Sequence, residues 1–435
     1  MPTENQPPNR RGFIATSAKI AAAGSIGAVS LPRLAMGYHH GVNDTLKIGL
    51  VGCGGRGTGA VVNAAAADSN VQIVALADAF TDRLDSCLEE LKTQRTDNNQ
   101  PLNINVADDH KFSGFDCCEK LVASDVDVVL LATPPHFRPA HLRACIDANK
   151  HVFCEKPVGV DVPGVKSVME SCQIAAGKGL SVVSGLCWRY DTNVKEMVRR
   201  IQDGAIGEIR SIQENYLTGT LWHRGDNPKW SRMEYQLRNW LYYNWLSGDH
   251  IAEQHIHSLD KALWLMGDRP PTSCYGTGGR LVRTDPMWGN VYDHFSCVFE
   301  WDDSDVKTFS HCRQMADCFS DVDDYIVGTK GTAKILKGEI NNADGKQNVK
   351  QPGALDMYVS EHIELFKSIR AGQPINNGEY MSHSTLMALM GRDACYTGKR
   401  IKFEDYMKSE VRLGPASYEW NDYEPDPVAK PGTKF

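Results

Sequence analysis

Leu46-Lys-Ile-Gly-Leu-Val-Gly-Cys-Gly-Gly-Arg-Gly57 constrains the fold more than any other stretch of this chain. An apolar run at 48–51 leads directly into Gly52-x-Gly54-x-x-Gly57, and helix formers follow at 60–67. Each glycine has a physical task. Gly52 permits a tight strand-to-helix turn, Gly54 lets bare backbone approach a pyrophosphate, and Gly57 lets helix and strand pack closely. The helix that follows offers unpaired N–H groups and the positive end of its dipole to phosphates. A second apolar run, 71–77, ends at Asp78, 21 residues past Gly57, where a carboxylate meets adenosine ribose hydroxyls. The loop residues Gly52, Cys53, Gly54, Gly55, Arg56 and Gly57, with Asp78, are therefore expected to bind a dinucleotide. The competing reading is a glycine turn in an unrelated α/β protein.

The 435 residues suffice for two domains with separate cores. A net charge of −7 argues against a nucleic-acid surface, and no run of 18 apolar residues is present to span a membrane. Asn9-Arg10-Arg11-Gly12-Phe13-Ile14 precedes a mildly apolar Ala/Gly-rich stretch at 20–31 and small residues near Ala35. Residues 1–36 resemble a twin-arginine export signal, which predicts a periplasmic protein; the alternative is a plain basic tail. None of the thirteen cysteines shows C-x-x-C spacing, so no metal site is expected, and most read as buried, reduced thiols.

Residues 44–190 alternate strand and helix signals, as a doubly wound parallel sheet requires. Apolar runs at 125–132, 151–154 and 180–186 follow the first two strands, with helical stretches at 81–92, 140–149 and 165–176. The pattern implies a Rossmann dinucleotide-binding domain of about six strands. Residues 191–413 read differently. Half-buried alternation near 207–216, 272–277, 294–301, 306–311 and 325–336 predicts an open, mostly antiparallel sheet. Helical stretches intervene near 247–266, 355–371 and 384–397. The free face of that sheet is expected to join subunits as a homodimer or homotetramer. The tail, 414–435, is rich in Pro, Asp and Glu and reads as extended.

Two groups of residues could carry chemistry. Thr133-Pro134-Pro135 and Glu155-Lys156-Pro157 end the fourth and fifth predicted strands, facing the crevice where such sheets bind ligands. A lysine there can hold a substrate hydroxyl and its developing oxyanion. In Gly248-Asp-His-Ile-Ala-Glu-Gln-His-Ile-His-Ser-Leu-Asp260, Glu253 and His257 are four apart and share a face if the segment is helical. His257 is then a candidate acid or base with Glu253 orienting it, although satisfied structural histidines fit the spacing equally well.

The ordered set of the glycine loop, Thr133-Pro134-Pro135, Glu155-Lys156-Pro157 and the segment ending His257-x-x-Asp260 resembles the Gfo/Idh/MocA oxidoreductases over about residues 45–400. The resemblance implies an N-terminal Rossmann domain, a C-terminal α/β domain with an open sheet, and hydride transfer at a sugar or polyol carbon. The family's catalytic lysine falls on Lys156 and its histidine on His257. Its usual aspartate falls on Glu253 and its usual intervening glycine on His255, two departures from the pattern.

Eight tyrosines and tryptophans crowd 216–245, including Trp222, Trp230 and Trp240, with His223, Arg224 and Arg238 among them. Flat rings suit pyranose C–H faces, and Arg or His suit hydroxyls, so Trp222, His223 and Arg238 are substrate candidates; a self-packed loop is the alternative. Arg189 and Tyr190, just past the sixth strand, join them. Asp78 repels a 2′-phosphate and favours NAD over NADP, a preference Arg83 or Arg56 could soften. An exported enzyme meets little free nicotinamide, so the cofactor is expected to be nondissociating, as in the glucose–fructose oxidoreductases. Three functions fit: a sugar, glycoside or polyol oxidoreductase; an NAD-using glycosidase working by transient oxidation and elimination; and a noncatalytic sugar-binding protein.

Overall fold

Strand β1 (Leu46–Val51) is almost wholly buried, as its apolar run requires, and is flanked on both sides by parallel neighbours. The computed structural model describes residues 44–96 and 99–432; the export signal expected at 1–36 lies outside the described residues. Helix α1 (Gly55–Ala67) returns the chain to β2 (Val71–Asp78), and α2 (Thr81–Thr93) leads on to β3 (Lys111–Ser113). Helix α3 (Cys117–Val122), β4 (Val128–Leu131), α4 (Arg138–Asp147), β5 (His151–Cys154), α5 (Val162–Lys178) and β6 (Val182–Ser184) follow. The strand order is β3-β2-β1-β4-β5-β6, all parallel, with the direction of winding reversing between β1 and β4. Five of these strands coincide with apolar runs. The sixth, β3, is a three-residue edge strand, Lys-Phe-Ser, too short and too exposed to show periodicity.

After α6 (Thr192–Gln202), whose N-cap Asp191 accepts from Asn193 N and Val194 N, the chain builds a second sheet. Its strand β7 (Ile209–Thr218) comes first, and α7 (Arg232–Arg238), α8 (Asn244–Ser247), α9 (His250–Glu253) and α10 (Ile256–Leu265) precede the rest. These are β8 (Ser273–Gly279), β9 (His294–Glu300), β10 (Lys307–Gln314), β11 (Asp321–Gly328), β12 (Gly331–Lys334), β13 (Glu339–Asn342) and β14 (Gly345–Asn348). Helices α11 (Met357–Ala371) and α12 (Gly378–Thr397) and the short β15 (Ile401–Lys402) close the order β14-β13-β12-β11-β7-β10-β9-β8-β15. Every neighbour is antiparallel except β7 and β10, so the sheet is mixed but mostly antiparallel.

Two local expectations change. The run at 325–336 is not one strand but a hairpin of β11 and β12. The stretch at 247–266 is not one helix. Gly248 (φ +76°) and Asp249 (φ +67°) start a fresh turn, and two residues separate Glu253, the end of α9, from the start of α10. Helix α11 packs on α1, sharing a core with Leu46, Leu50 and Val61 through Leu365, Phe366 and Ile369. On the outward sheet face, Tyr275, Val298, Phe309, Gln213 and Tyr325 lie in register, mixing apolar with polar rather than forming a continuous apolar plane. All thirteen cysteines are free thiols, twelve of them buried. Among the described residues no helix is long and apolar enough to cross a membrane.

Candidate active site

The β1–α1 turn can only be built from glycine where it is tightest. Gly52 has φ +99°, and a Cβ there would stand 2.6 Å from the Ala132 carbonyl carbon. A Cβ on Gly57 would stand 1.9 Å from Gly52 O, so strand and helix could not close. Gly54 and Gly55 differ: an added Cβ meets nothing within 4 Å, because their backbone faces a cleft. Asp78 ties the turn to β2, its Oδ2 accepting from Cys53 N at 2.7 Å and its Oδ1 from Phe80 N at 3.0 Å. Cys53 turns its own thiol into the core toward Ala77 O, so its side chain does not face the cleft.

The cleft, about 500 Å³, lies beyond the carboxyl ends of the parallel strands. Gly52, Gly54, Gly55, Gly57, Thr133 and Pro134 line one side, and Asp78, Phe80, Arg83 and Phe115 one end. Leu221, Trp222, Arg224, Arg238, Trp240 and Leu241 form the opposite wall, and Glu253 stands at the other end. Pro135 is buried behind the rim, where it begins a short 3-10 turn. Open glycine backbone at the head of a thirteen-residue helix, followed by a carboxylate at the end of the next strand, fits a dinucleotide. Phe80 and Phe115 escaped sequence reading. Their signal is position: each follows a strand end by two residues, on the rim where ligands bind.

Lys156 leaves β5 and reaches across to α9. Its Nζ donates to the Glu253 carbonyl and lies 3.3 Å from Glu253 Oε1. Both side chains are mostly but not fully covered, at 14% and 18% exposure, as groups that must meet a ligand should be. Glu155 turns the other way. It is buried, accepts from Arg56 Nε and fills the space left by Gly185. Arg56 continues to Glu361 Oε1 at 2.9 Å and lies over the Tyr358 ring. Although Arg56 borders the cleft, its charge is committed to two buried carboxylates, whereas Arg83 lines the cleft with Asp78.

His257 opens α10 beside this pair, but across the break from Glu253 rather than on one continuous helix. Its Nδ1 is buried without a hydrogen-bond partner. Burial first, and the nearby charges of Lys156 and Lys261 next, hold its pKa well below the ordinary histidine value, so the imidazole stands neutral. His255, where the family has glycine, turns away: its Nε2 meets Ser310 Oγ at 2.6 Å on β10. Gln254, just before His255 and passed over in sequence reading, has its Oε1 fixed by Thr218 Oγ1 at 3.2 Å and Gln314 Nε2 at 2.9 Å. Tyr216 on β7 is also drawn in, its pKa pushed up to about 12 by burial and then by the charge of Glu253.

Four proposed substrate contacts sit elsewhere or act otherwise. Arg189 is buried and doubly paired, holding Asp260 through Nε and Nη2 at 2.8–3.0 Å and Asp268 Oδ1 at 2.6 Å. Asp260 is thereby occupied by Arg189 and Ser384, not by the His257 imidazole. Tyr190 is buried with its hydroxyl on Asn377 Oδ1 at 2.7 Å. His223 packs among Tyr235, Tyr242 and Trp288. Arg238 lines the cleft but spans it, pairing with Asp82 at 2.9 and 3.0 Å and lying 4.0 Å over Phe80. Trp222 keeps its place on the cleft wall, with Arg224 4.5 Å over its ring.

Fold and cleft together define an NAD-dependent oxidoreductase. Residues 46–184 match the description "Oxidoreductase family, NAD-binding Rossmann fold", and residues 194–334 match "GFO/IDH/MocA C-terminal domain". The chain belongs to the Gfo/Idh/MocA oxidoreductase family. It is 27% identical over 235 residues to the 2,7-anhydro-N-acetylneuraminate hydratase of Escherichia coli, covering 53% of this chain and only 57% of that protein. The myo-inositol 2-dehydrogenase of Thermotoga maritima is 25% identical over 371 residues, 83% of this chain and 99% of that one. Scyllo-inositol dehydrogenase from Lactobacillus casei, solved with NAD(H) and scyllo-inositol, shares the fold with a TM-score of 0.61 at 20% identity, covering 83% of this chain and 100% of that one.

The carboxylate of Asp78 lies where ribose hydroxyls would meet it, with Arg83 and Arg224 on the same cleft. Asp78→Ala is therefore expected to weaken NAD binding by about 10- to 100-fold, the worth of hydrogen bonds to a charged group. NADP binding should weaken less, because both arginines remain. Titration of each nucleotide checks this; an unchanged ratio of affinities would remove Asp78 from cofactor choice.

Proposed function

We propose that this protein oxidises a CH–OH carbon of a sugar, glycoside or polyol, using a tightly held NAD and an exported setting. One observation carries the reading: Lys156, from the end of β5, converges on Glu253 at the far end of the cleft from Asp78. Bound NAD supplies the hydride acceptor. Lys156 holds the substrate hydroxyl and takes up its charge as the carbon is oxidised. Its hydrogen bonds to Glu253 aim the ammonium group and keep it from drifting into solvent. His257, neutral because it is buried among positive charges, accepts the hydroxyl proton. Trp222, on the cleft wall, offers the sugar the ring face that Arg224 leaves free. The export signal expected at 1–36 supports retention, since a protein moved out of the cytoplasm must carry its cofactor.

The test begins with purified protein, denatured and assayed for released NAD(H). It continues with a panel of monosaccharides, polyols and glycosides scored for reduction of the bound cofactor. An empty, freely exchanging site that no member of the panel reduces would defeat the proposal. Likeness to a hydratase favours a second reading, in which oxidation is transient and the same hydride returns. Release of aglycone from an aryl glycoside with no net NADH would select it. A binding protein without catalysis would show no isotope exchange from a C-deuterated sugar.

A further inference from the structure

Residues 413–432 contain neither helix nor strand, yet they are fastened to both walls of the cofactor cleft. Leu413 N donates to Asp161 Oδ2 at 2.9 Å, on the residue whose Oδ1 caps α5 through Gly164 N at 2.8 Å. Gly414 (φ +96°) then passes so close that a Cβ would stand 2.8 Å from Trp245 and 2.9 Å from His136. Only glycine makes that passage.

Beyond it the segment meets three rim loops in turn. The Tyr418 hydroxyl lies 2.7 Å from His136 Nε2, and its ring is 5.2 Å from Phe137 and 5.6 Å from Phe115. The Trp420 ring lies 4.5 Å from Phe115 and 5.3 Å from Phe80. Phe80, Phe115 and Phe137 all line the cleft, on the loops that follow β2, β3 and β4. The segment next crosses to the opposite wall. Met233 N donates to Asn421 O at 3.0 Å and Gln236 Nε2 to Tyr423 O at 2.6 Å, both from α7, the helix that carries Arg238. Asn290 Nδ2 to Asp426 O and Tyr292 Oη to Ala429 O, both 2.9 Å, fix the far end.

From this we infer that residues 413–432 are a strap that holds the dinucleotide in its cleft, with Tyr418 and Trp420 as its positioning residues. The inference rests on the proposed tight binding of NAD and supplies its physical cause. A dinucleotide leaves only when the strand-end loops and the α7 wall part, and one segment grips both. Its aromatic contacts must break before that opening, which slows release. Trp420 remains 45% exposed, more than a packing residue of the core would be, while its buried face touches the two rings at the Asp78 end. Among the described residues the strap forms no hydrogen bond, ion pair or ring contact with Lys156, Glu253 or His257, so its effect falls on retention rather than on proton transfer.

The full chain, loaded with NADH and mixed with excess NAD, reports release through the fluorescence of bound NADH. The double variant Tyr418→Ala, Trp420→Ala is expected to release NADH at least about tenfold faster, since four ring contacts with phenylalanines are lost. Tyr418→Phe, which loses only the His136 hydrogen bond, should show a smaller rise in the same direction. Release is compared at a temperature well below the melting midpoint of each variant after its nucleotide is stripped on charcoal, so that faster release reads retention rather than unfolding. Unchanged release in the double variant overturns the strap while leaving tight NAD binding intact. Wild-type protein that binds no NADH overturns both.

Discussion

Lys156→Met lowers the rate of sugar oxidation in a single turnover by about 10²- to 10³-fold, the worth of one donor aimed at a developing oxyanion. Methionine keeps the length and apolar stem and removes only the ammonium group. The Glu253 carbonyl and carboxylate lose that donor, but Glu253 is partly exposed and water can replace it. The variant should therefore fold and still bind NADH, and the loss should appear in the rate of cofactor reduction rather than in occupancy. Lys156→Arg separates charge from placement. A guanidinium keeps the cation in a planar, bulkier fork, so it restores only part of the rate. His257 adds a pH signature of defined sign. Its folded pKa lies well below the ordinary value, so it stays neutral as pH falls through 6.5 and becomes charged only at more acid pH. The acid limb of kcat/KM should lie below pH 6.5 and disappear in His257→Asn. A Lys156→Met protein with wild-type turnover would end the assignment.

The parts of this site that could be read in advance are those set by local rules. A glycine turn between strand and helix has one physical solution, and the ends of parallel strands point to one crevice, so Gly52, Gly57, Asp78 and Lys156 could be placed from spacing alone. What could not be read depends on distant partners. The chain breaks between α9 and α10 with no Gly or Pro to mark it. Asp249 fixes the start of α9, its carboxylate held by His250, Tyr292 N and the Tyr396 hydroxyl, the last 147 residues away. At the break His255 reaches Ser310, and past it His257 feels the charge of Lys156, which no helical wheel would show. Composition could not place the tail. Its Pro, Asp and Glu content reads as extended, and where that extended segment docks depends on Tyr418, Trp420 and Tyr423 meeting rings distant in sequence.

Arg189 shows the same limit in energetic terms, and its replacement should have the largest effect on stability. Its place just past β6 points toward the crevice, yet its guanidinium is buried between Asp260 and Asp268 with the Tyr380 ring 4.0 Å away. Arg189→Ala leaves Asp260, 1% exposed, with only the Ser384 hydroxyl at 2.7 Å. Breaking a buried pair from one side costs about 3–5 kcal/mol, because the remaining charge stays desolvated. The midpoint of urea unfolding should fall accordingly, and Arg189→Lys should recover only part, since an ammonium cannot hold the carboxylate through two parallel bonds. A substrate contact would do the reverse: it would raise the KM for the sugar, leave unfolding unchanged, and return Arg189 to the catalytic cleft.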